Sequence, residues 1–171
     1  MKKIIKLAAF LTIVCVISSA VLSYTNSVTS PIIIANQKAA TEKMLKELVP
    51  TATEFTEEVI KENRIVKMYL AKKDGEVITT VYELSVFGFQ SEIKTLVAID
   101  PDGNFVGFKV IEQAETPGYG TKIAEEEYMS QFTNKTINDE IDIIAGSTVS
   151  TRPLKEAIEN AVAHFKELNN K

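Results

Sequence analysis

The sequence has one cysteine, one histidine and no tryptophan in 171 residues. With Cys15 alone, no disulfide can close within the chain, and a Cys/His zinc set is excluded with it. His164 falls in the last helical segment. A Ser/His/Asp triad would need it to fold back more than two helical turns onto the hydroxyl-rich turn that precedes that segment, so this chemistry is rejected. An excess of positive charge is also missing. A formal net charge of -4 argues against a nucleic-acid partner, whose phosphates it would repel, and otherwise fits ordinary solubility. The length suits one compact domain plus an anchor.

What is present begins at the N-terminus. Met1-Lys2-Lys3 leads into an apolar run from Ile4 to Leu22, interrupted in charge only by Lys6. Roughly 19 residues of helix rise about 28 Å, close to the hydrocarbon thickness of a bilayer. Lys6 can snorkel toward headgroups. The lysines ahead of the run place the N-terminus in the cytoplasm and the rest of the chain, from about Tyr24, across the membrane. Ser18-Ser19-Ala20 offers small residues for a signal peptidase, the rival reading. The run exceeds a usual signal h-region of about 7–15 residues, which favours a retained anchor in the cytoplasmic (inner) membrane. Either way the domain is exported.

Ser23 to Ser30 reads as a polar linker ending at Pro31. Ile34, Ala40, Met44, Leu45 and Leu48 then recur at helical steps up to Val49-Pro50. Strands are expected over Arg64–Ala71 and Val77–Val86 around Lys73-Asp74-Gly75, and over Ile93–Ile99 and Phe105–Ile111 around Asp100–Asn104. Val97, Ile99, Phe105, Phe108 and Val110 supply apolar faces for an antiparallel sheet. A short helix is expected over Glu125–Phe132 and a short strand over Ile141–Ile144. From Thr151 to Leu168, Leu154, Ala157, Ile158, Ala161, Val162, Phe165 and Leu168 form one apolar stripe. The fold class is α+β: one transmembrane helix, then a domain with an antiparallel sheet and flanking helices. The segments are 1–23, start and transmembrane helix; 24–60, juxtamembrane linker and helix; and 61–171, the domain.

Two segments carry chemistry. In Glu115-Thr116-Pro117-Gly118-Tyr119-Gly120, two glycines around an aromatic residue allow positive φ and close approach of backbone to a ligand. Thr116 and the backbone can donate to a polar edge, and Tyr119 offers a planar face. A plain turn uses the same residues. In Ala145-Gly146-Ser147-Thr148-Val149-Ser150-Thr151-Arg152-Pro153, four hydroxyls crowd into five positions. N-capping by Ser150 or Thr151, with Pro153 in the first turn, accounts for one of them. The others fit a phosphate at the helix N-terminus, with Arg152 nearby and no Cβ at Gly146; a well-capped helix without a phosphate is the equal alternative.

Together these stretches resemble the FMN-binding domain of the G subunit of Rnf electron-transport complexes and of the C subunit of sodium-pumping NADH:quinone reductase. The resemblance covers nearly the whole chain. It runs from the basic start and single helix through Pro31-Ile32-Ile33, Gly88-Phe89-Gln90, Ile99-Asp100-Pro101-Asp102-Gly103 and Glu115–Ile123 to Gly146–Thr151. It implies FMN joined by a phosphoester to Thr148, placed there by a separate flavin transferase that uses FAD and a divalent metal. Ala145 stands where the family motif has a hydroxyl or acid. Ser147 replaces alanine and puts a second possible acceptor beside Thr148. Gly146, Ser147, Val149, Ser150 and Thr151 complete the attachment turn; Glu115, Thr116, Gly118, Tyr119 and Gly120 are the candidates for the ring-side wall. The implied role is electron relay within a ferredoxin:NAD+ oxidoreductase complex that moves Na+ or H+, with the other subunits of that complex as partners. A sodium-pumping quinone reductase subunit, a stand-alone tethered flavoprotein and a flavin-free binding module are the alternatives.

Overall fold

The structure is a computed structural model and describes residues 2–169. Helix α1 runs Lys2–Leu48, followed by strands β1 (Glu54–Glu62), β2 (Ile65–Lys73), β3 (Glu76–Phe87), β4 (Glu92–Ile99) and β5 (Phe105–Glu112). Two 3₁₀ turns, Gly120–Ala124 and Ser130–Thr133, flank the short helix α2 (Glu126–Met129), and α3 (Thr148–Asn169) closes the chain. The chain divides into two compact units, Met1–Thr41 and Glu42–Lys171.

In the first unit, α1 is apolar all round from Leu7 to Leu22, and its large apolar side chains, from Ile4 to Ile34, are exposed. A helix of that kind suits lipid rather than water, and it is long and apolar enough to cross a bilayer. The expected linker at Ser23–Ser30 is helical instead, with Pro31 inside the helix. Its hydroxyls turn back onto the helix: Ser27 Oγ donates to the Tyr24 carbonyl and Thr29 Oγ1 to that of Thr25, both at 2.8 Å. Such local bonds satisfy Ser and Thr without ending a helix.

In the second unit the five strands form an antiparallel meander in chain order. Asp74 and Gly75 both take positive φ, 54° and 88°, as a two-residue hairpin turn requires. The four expected strands are present within two residues of their expected ends. Strand β1 was not anticipated: it is an edge strand rich in glutamate and largely exposed, so it lacks the alternation that marks a half-buried strand. Ile141–Ile144 is not a strand. Ile141 packs into the core, while the Asp142 N–H donates to Gln131 Oε1 at 2.9 Å rather than to a neighbouring strand.

The sheet is covered on both faces. Tyr82, Leu84, Val86, Val97 and Ile99 join Leu154, Ile158, Ala161 and Phe165 of α3 in one core. Val81, Leu96 and Ala98 point the other way, into a cluster with Leu45, Leu48 and Val49. The two-residue alternation therefore buries both sets on β3 and β4. The α3 stripe forms as expected, except that Leu168 is exposed. The helix starts at Thr148 rather than Thr151, which places Pro153 inside it and the hydroxyl cluster in its first turn.

Candidate functional site

Three segments meet at the end of the sheet: the β3–β4 hairpin loop, the loop after β5, and the turn into α3. Glu115 ties them. Its residue is 5% exposed, and its carboxylate accepts from the N–H groups of Phe89 (3.1 Å), Gln90 (2.9 Å) and Ser91 (2.8 Å). Ser91 Oγ (3.2 Å) and Ser150 Oγ (2.7 Å) donate as well. Burial alone would raise its pKa, but the Ser150 hydroxyl and the loop N–H groups outweigh that and hold it below the usual carboxylate value.

Glycine makes this packing possible. A Cβ on Gly88 would stand 2.7 Å from Glu115 Oε1, and one on Gly120 would overlap Oε2 and lie 2.5 Å from the Glu115 Cβ. The other glycine of that loop, Gly118, has φ +77° and open space around it. Its N–H donates to Thr121 Oγ1 at 3.0 Å.

Over this clamp lies a cavity of about 380 Å³ lined by Phe89, Glu115, Thr116, Tyr119, Gly120, Gly146, Ser147, Val149 and Ser150. Small-molecule sites span about 300–1,000 Å³. Phe89, Tyr119 and Val149 are 70%, 63% and 59% exposed, so apolar and aromatic surface stands open around the space. Thr116 Oγ1 is engaged with Gln90 Oε1 at 3.0 Å, which fixes the loop after β5 to the hairpin loop.

The turn into α3 is organised by the Ser147 carbonyl, which accepts from the N–H groups of Ser150 (3.1 Å) and Thr151 (2.9 Å) and from Thr151 Oγ1 (3.0 Å). The N–H groups of Thr148 and Val149 precede these first helical bonds and belong to the unsatisfied set of a helix N-terminus. Gly146, at φ +82°, makes the sharp entry. Thr148 is half-buried at the first helical position. Ser147 is buried, and its Oγ has no partner among the described residues. Arg152 is exposed one turn along.

Of the eleven residues expected at the site, eight line the cavity. Thr148 sits beside it between Ser147 and Val149, Gly118 shapes the neighbouring loop, and Thr151 is buried beneath with its hydroxyl spent on Ser147. Phe89 was not expected among the site residues; its signal was the glycine just before it at a strand end, where a hairpin loop presents an exposed aromatic ring. His164 lies well along α3, where its Nδ1 is 3.1 Å from Tyr82 Oη.

The profile of the FMN-binding domain family matches residues 88–163, which hold every residue of the cavity wall, and that of the RnfG N-terminal region matches residues 1–48. The chain is 32% identical over 141 residues to the G subunit of the ion-translocating oxidoreductase complex of Haemophilus influenzae, across 78% of this chain and 68% of that protein. It is 27% identical over 163 residues to the G subunit of the proton-translocating ferredoxin:NAD+ oxidoreductase complex of Clostridium ljungdahlii, across 89% and 86%. The crystal structure of Shewanella oneidensis NqrC shares the fold, with a TM-score of 0.52 at 20% identity over 72% of this chain and 74% of that one.

Proposed function

The chain belongs to the family of G subunits of ion-translocating oxidoreductase complexes, and from that premise we propose that it carries FMN bonded through its phosphate to Thr148. It is a membrane-anchored flavoprotein subunit of an Rnf-type complex. The observation that carries the attachment is the position of Thr148: half-buried, first in α3, between Ser147 and Val149, which line a cavity that Phe89 and Tyr119 also wall.

The residues present fit such a group. A phosphate on Thr148 meets the free N–H groups and dipole of the α3 N-terminus, with the exposed Arg152 nearby. Gly146 keeps side-chain bulk out of the turn. The aromatic faces of Phe89 and Tyr119 suit a flat apolar ring system. Glu115, fully occupied with internal donors, acts on the cavity by fixing its three walls. Between the two neighbouring hydroxyls, Thr148 is the accessible one, whereas Ser147 Oγ is shut off from solvent. Bound here, FMN supplies reversible uptake and release of electrons for a relay between neighbouring centres.

The location explains a covalent link. With the N-terminal lysines in the cytoplasm, the domain of residues 61–171 lies on the extracytoplasmic side, away from cytoplasmic FMN, and a reversible site there would empty by mass action. A bond placed by a flavin transferase makes occupancy independent of free FMN.

The test is to make the full chain with and without a flavin transferase and to map the modified peptide by mass spectrometry. The added mass of one FMN less water on Thr148, only when the transferase is present, is the expected result. An unmodified 146–151 peptide with active transferase present overturns the proposal. Isolation of the intact membrane complex, with ferredoxin-linked rather than quinone-linked subunits alongside, tests the complex assignment.

A further inference from the structure

Glu115 is the one buried carboxylate among the described residues. Its partners are all donors: three backbone N–H groups, which can only donate, and the hydroxyls of Ser91 and Ser150. Such a set selects the carboxylate over the acid. No cation neutralises it. The other titratable groups on the elements packed around it are Glu92 and Lys94 of β4, Glu112 of β5, Tyr119, Lys122 of the 3₁₀ turn and Arg152 of α3. Lys94 pairs with Glu92 and Glu112, and every ion pair among the described residues lies away from Glu115. Hydrogen bonds disperse the charge of a carboxylate but keep its sign, so a net negative charge stands in this wall.

The cavity that Glu115 lines is almost wholly apolar, and apolar surroundings screen a charge weakly. A space of about 380 Å³ is about 9 Å across, so all of it lies within the range of that charge. Contact is not required. The carboxylate oxygens are taken by internal donors, and only their field enters the cavity. We infer that Glu115 governs the charge a flavin can carry here: it lowers the reduction potential of the ring and keeps the reduced ring neutral; this rests on the attachment proposed above. Two electrons with two protons leave a neutral ring neutral, whereas two electrons with one proton leave it with one negative charge. The electrons come from a neighbouring redox centre and the protons from solvent. Glu115 opposes only the second outcome. At about 9 Å and an effective dielectric constant of about 20, one charge changes an acid constant about tenfold. Glu115 therefore acts on the flavin without touching it.

The test is a dithionite redox titration of the full chain in detergent, loaded by its transferase, at a series of pH values spanning neutrality. The slope of potential against pH halves where the reduced ring loses its second proton. In loaded wild type that break should lie about one pH unit above the break of free FMN in the same buffer. Glu115→Gln keeps the size of the side chain and removes its charge. Its break should fall by about one unit, and above both breaks its potential should exceed wild type by about 30 mV, the two-electron equivalent of a tenfold change. Below both breaks the two potentials should coincide. Glu115→Asp keeps the charge and disturbs the packing, so its break should stay with wild type. A wild-type break at or below that of free FMN overturns the inference without any variant having to fold. Equal shifts in the Gln and Asp variants overturn it too, because they trace the effect to packing. Absence of in-gel flavin fluorescence from transferase-treated wild type overturns the attachment itself, and the role of Glu115 toward the flavin falls with it.

Discussion

On one side of the cavity, Glu115 gathers three backbone N–H groups and two hydroxyls from segments 24 to 35 residues away. On the other, the turn into α3 leaves the Ser147 hydroxyl unpaired and Thr148 half-exposed at a helix start. Both loops carry glycines and hydroxyls, and both read as possible ligand walls. Their difference lies in how the polar groups are spent. The Glu115 loop uses them internally and becomes a frame. The α3 turn spends Ser150 and Thr151 internally but leaves Thr148 half-exposed at the helix start. A saturated wall holds geometry.

The comparison breaks most sharply at Thr148. In protein made with the transferase, Thr148→Ala should abolish the flavin band that survives a denaturing gel, and Thr151→Ala should retain it, because the Thr151 hydroxyl is buried on the Ser147 carbonyl. A band that persists in Thr148→Ala would move the attachment elsewhere. The next effect is on the frame. Glu115→Ala strands five donors, and its cost in urea unfolding should be about 3–5 kcal/mol. Acid provides an independent reading of the same residue. Its carboxyl is held below the ordinary value, so the stability it adds is fully present above the ordinary carboxylate pKa and is lost as pH falls through the lowered one. Glu115→Gln should therefore be less stable than wild type near neutrality and show a shallower loss of stability on acidification. Parallel curves for the two proteins would remove Glu115 from the frame.

Much of this fold is legible along the chain because its signals are local. Asp74-Gly75 fixes one hairpin, the Asp100–Asn104 turn fixes another, and the α3 stripe declares its buried face within one helix. Strand β1 is not legible, since its pairing with β2 compensates for a glutamate-rich edge that has little apolar pattern. Ile141–Ile144 has strand composition but pairs with no strand, and Gln131 takes its Asp142 N–H. At the site, glycine spacing and clustered hydroxyls point to the loops that line the cavity. They do not show that Glu115 faces inward, because its donors Phe89 to Ser91 belong to a distant hairpin. Nor do they separate Ser147 from its neighbours: the unpaired state of one hydroxyl among four is set by helix register, and α3 begins at Thr148, three residues before its expected start.

The two glycines of the Glu115 loop sharpen the comparison further, within a single segment. Gly120→Ala drives a methyl group into the Glu115 side chain, and something in the frame must shift, at a cost of about 2–3 kcal/mol. Part of that shift should reach the cavity, so the loaded protein should show lower anisotropy of its flavin as well as a lower urea midpoint.

Gly118→Ala is the smallest effect and the control. Its Cβ would meet nothing within 4 Å, yet its φ of +77° is one that a side chain disfavours. The cost should be about 1 kcal/mol, backbone strain alone. Because a Cβ on Gly118 would press on no neighbouring segment, flavin anisotropy in the loaded variant should match wild type. If Gly118→Ala loosened the flavin as much as Gly120→Ala, the loop would respond as one flexible unit. Glu115 would then not be the frame. If only Gly120→Ala loosened it, the contact with Glu115 would be what transmits order from the saturated side of the cavity to the ligand on the other.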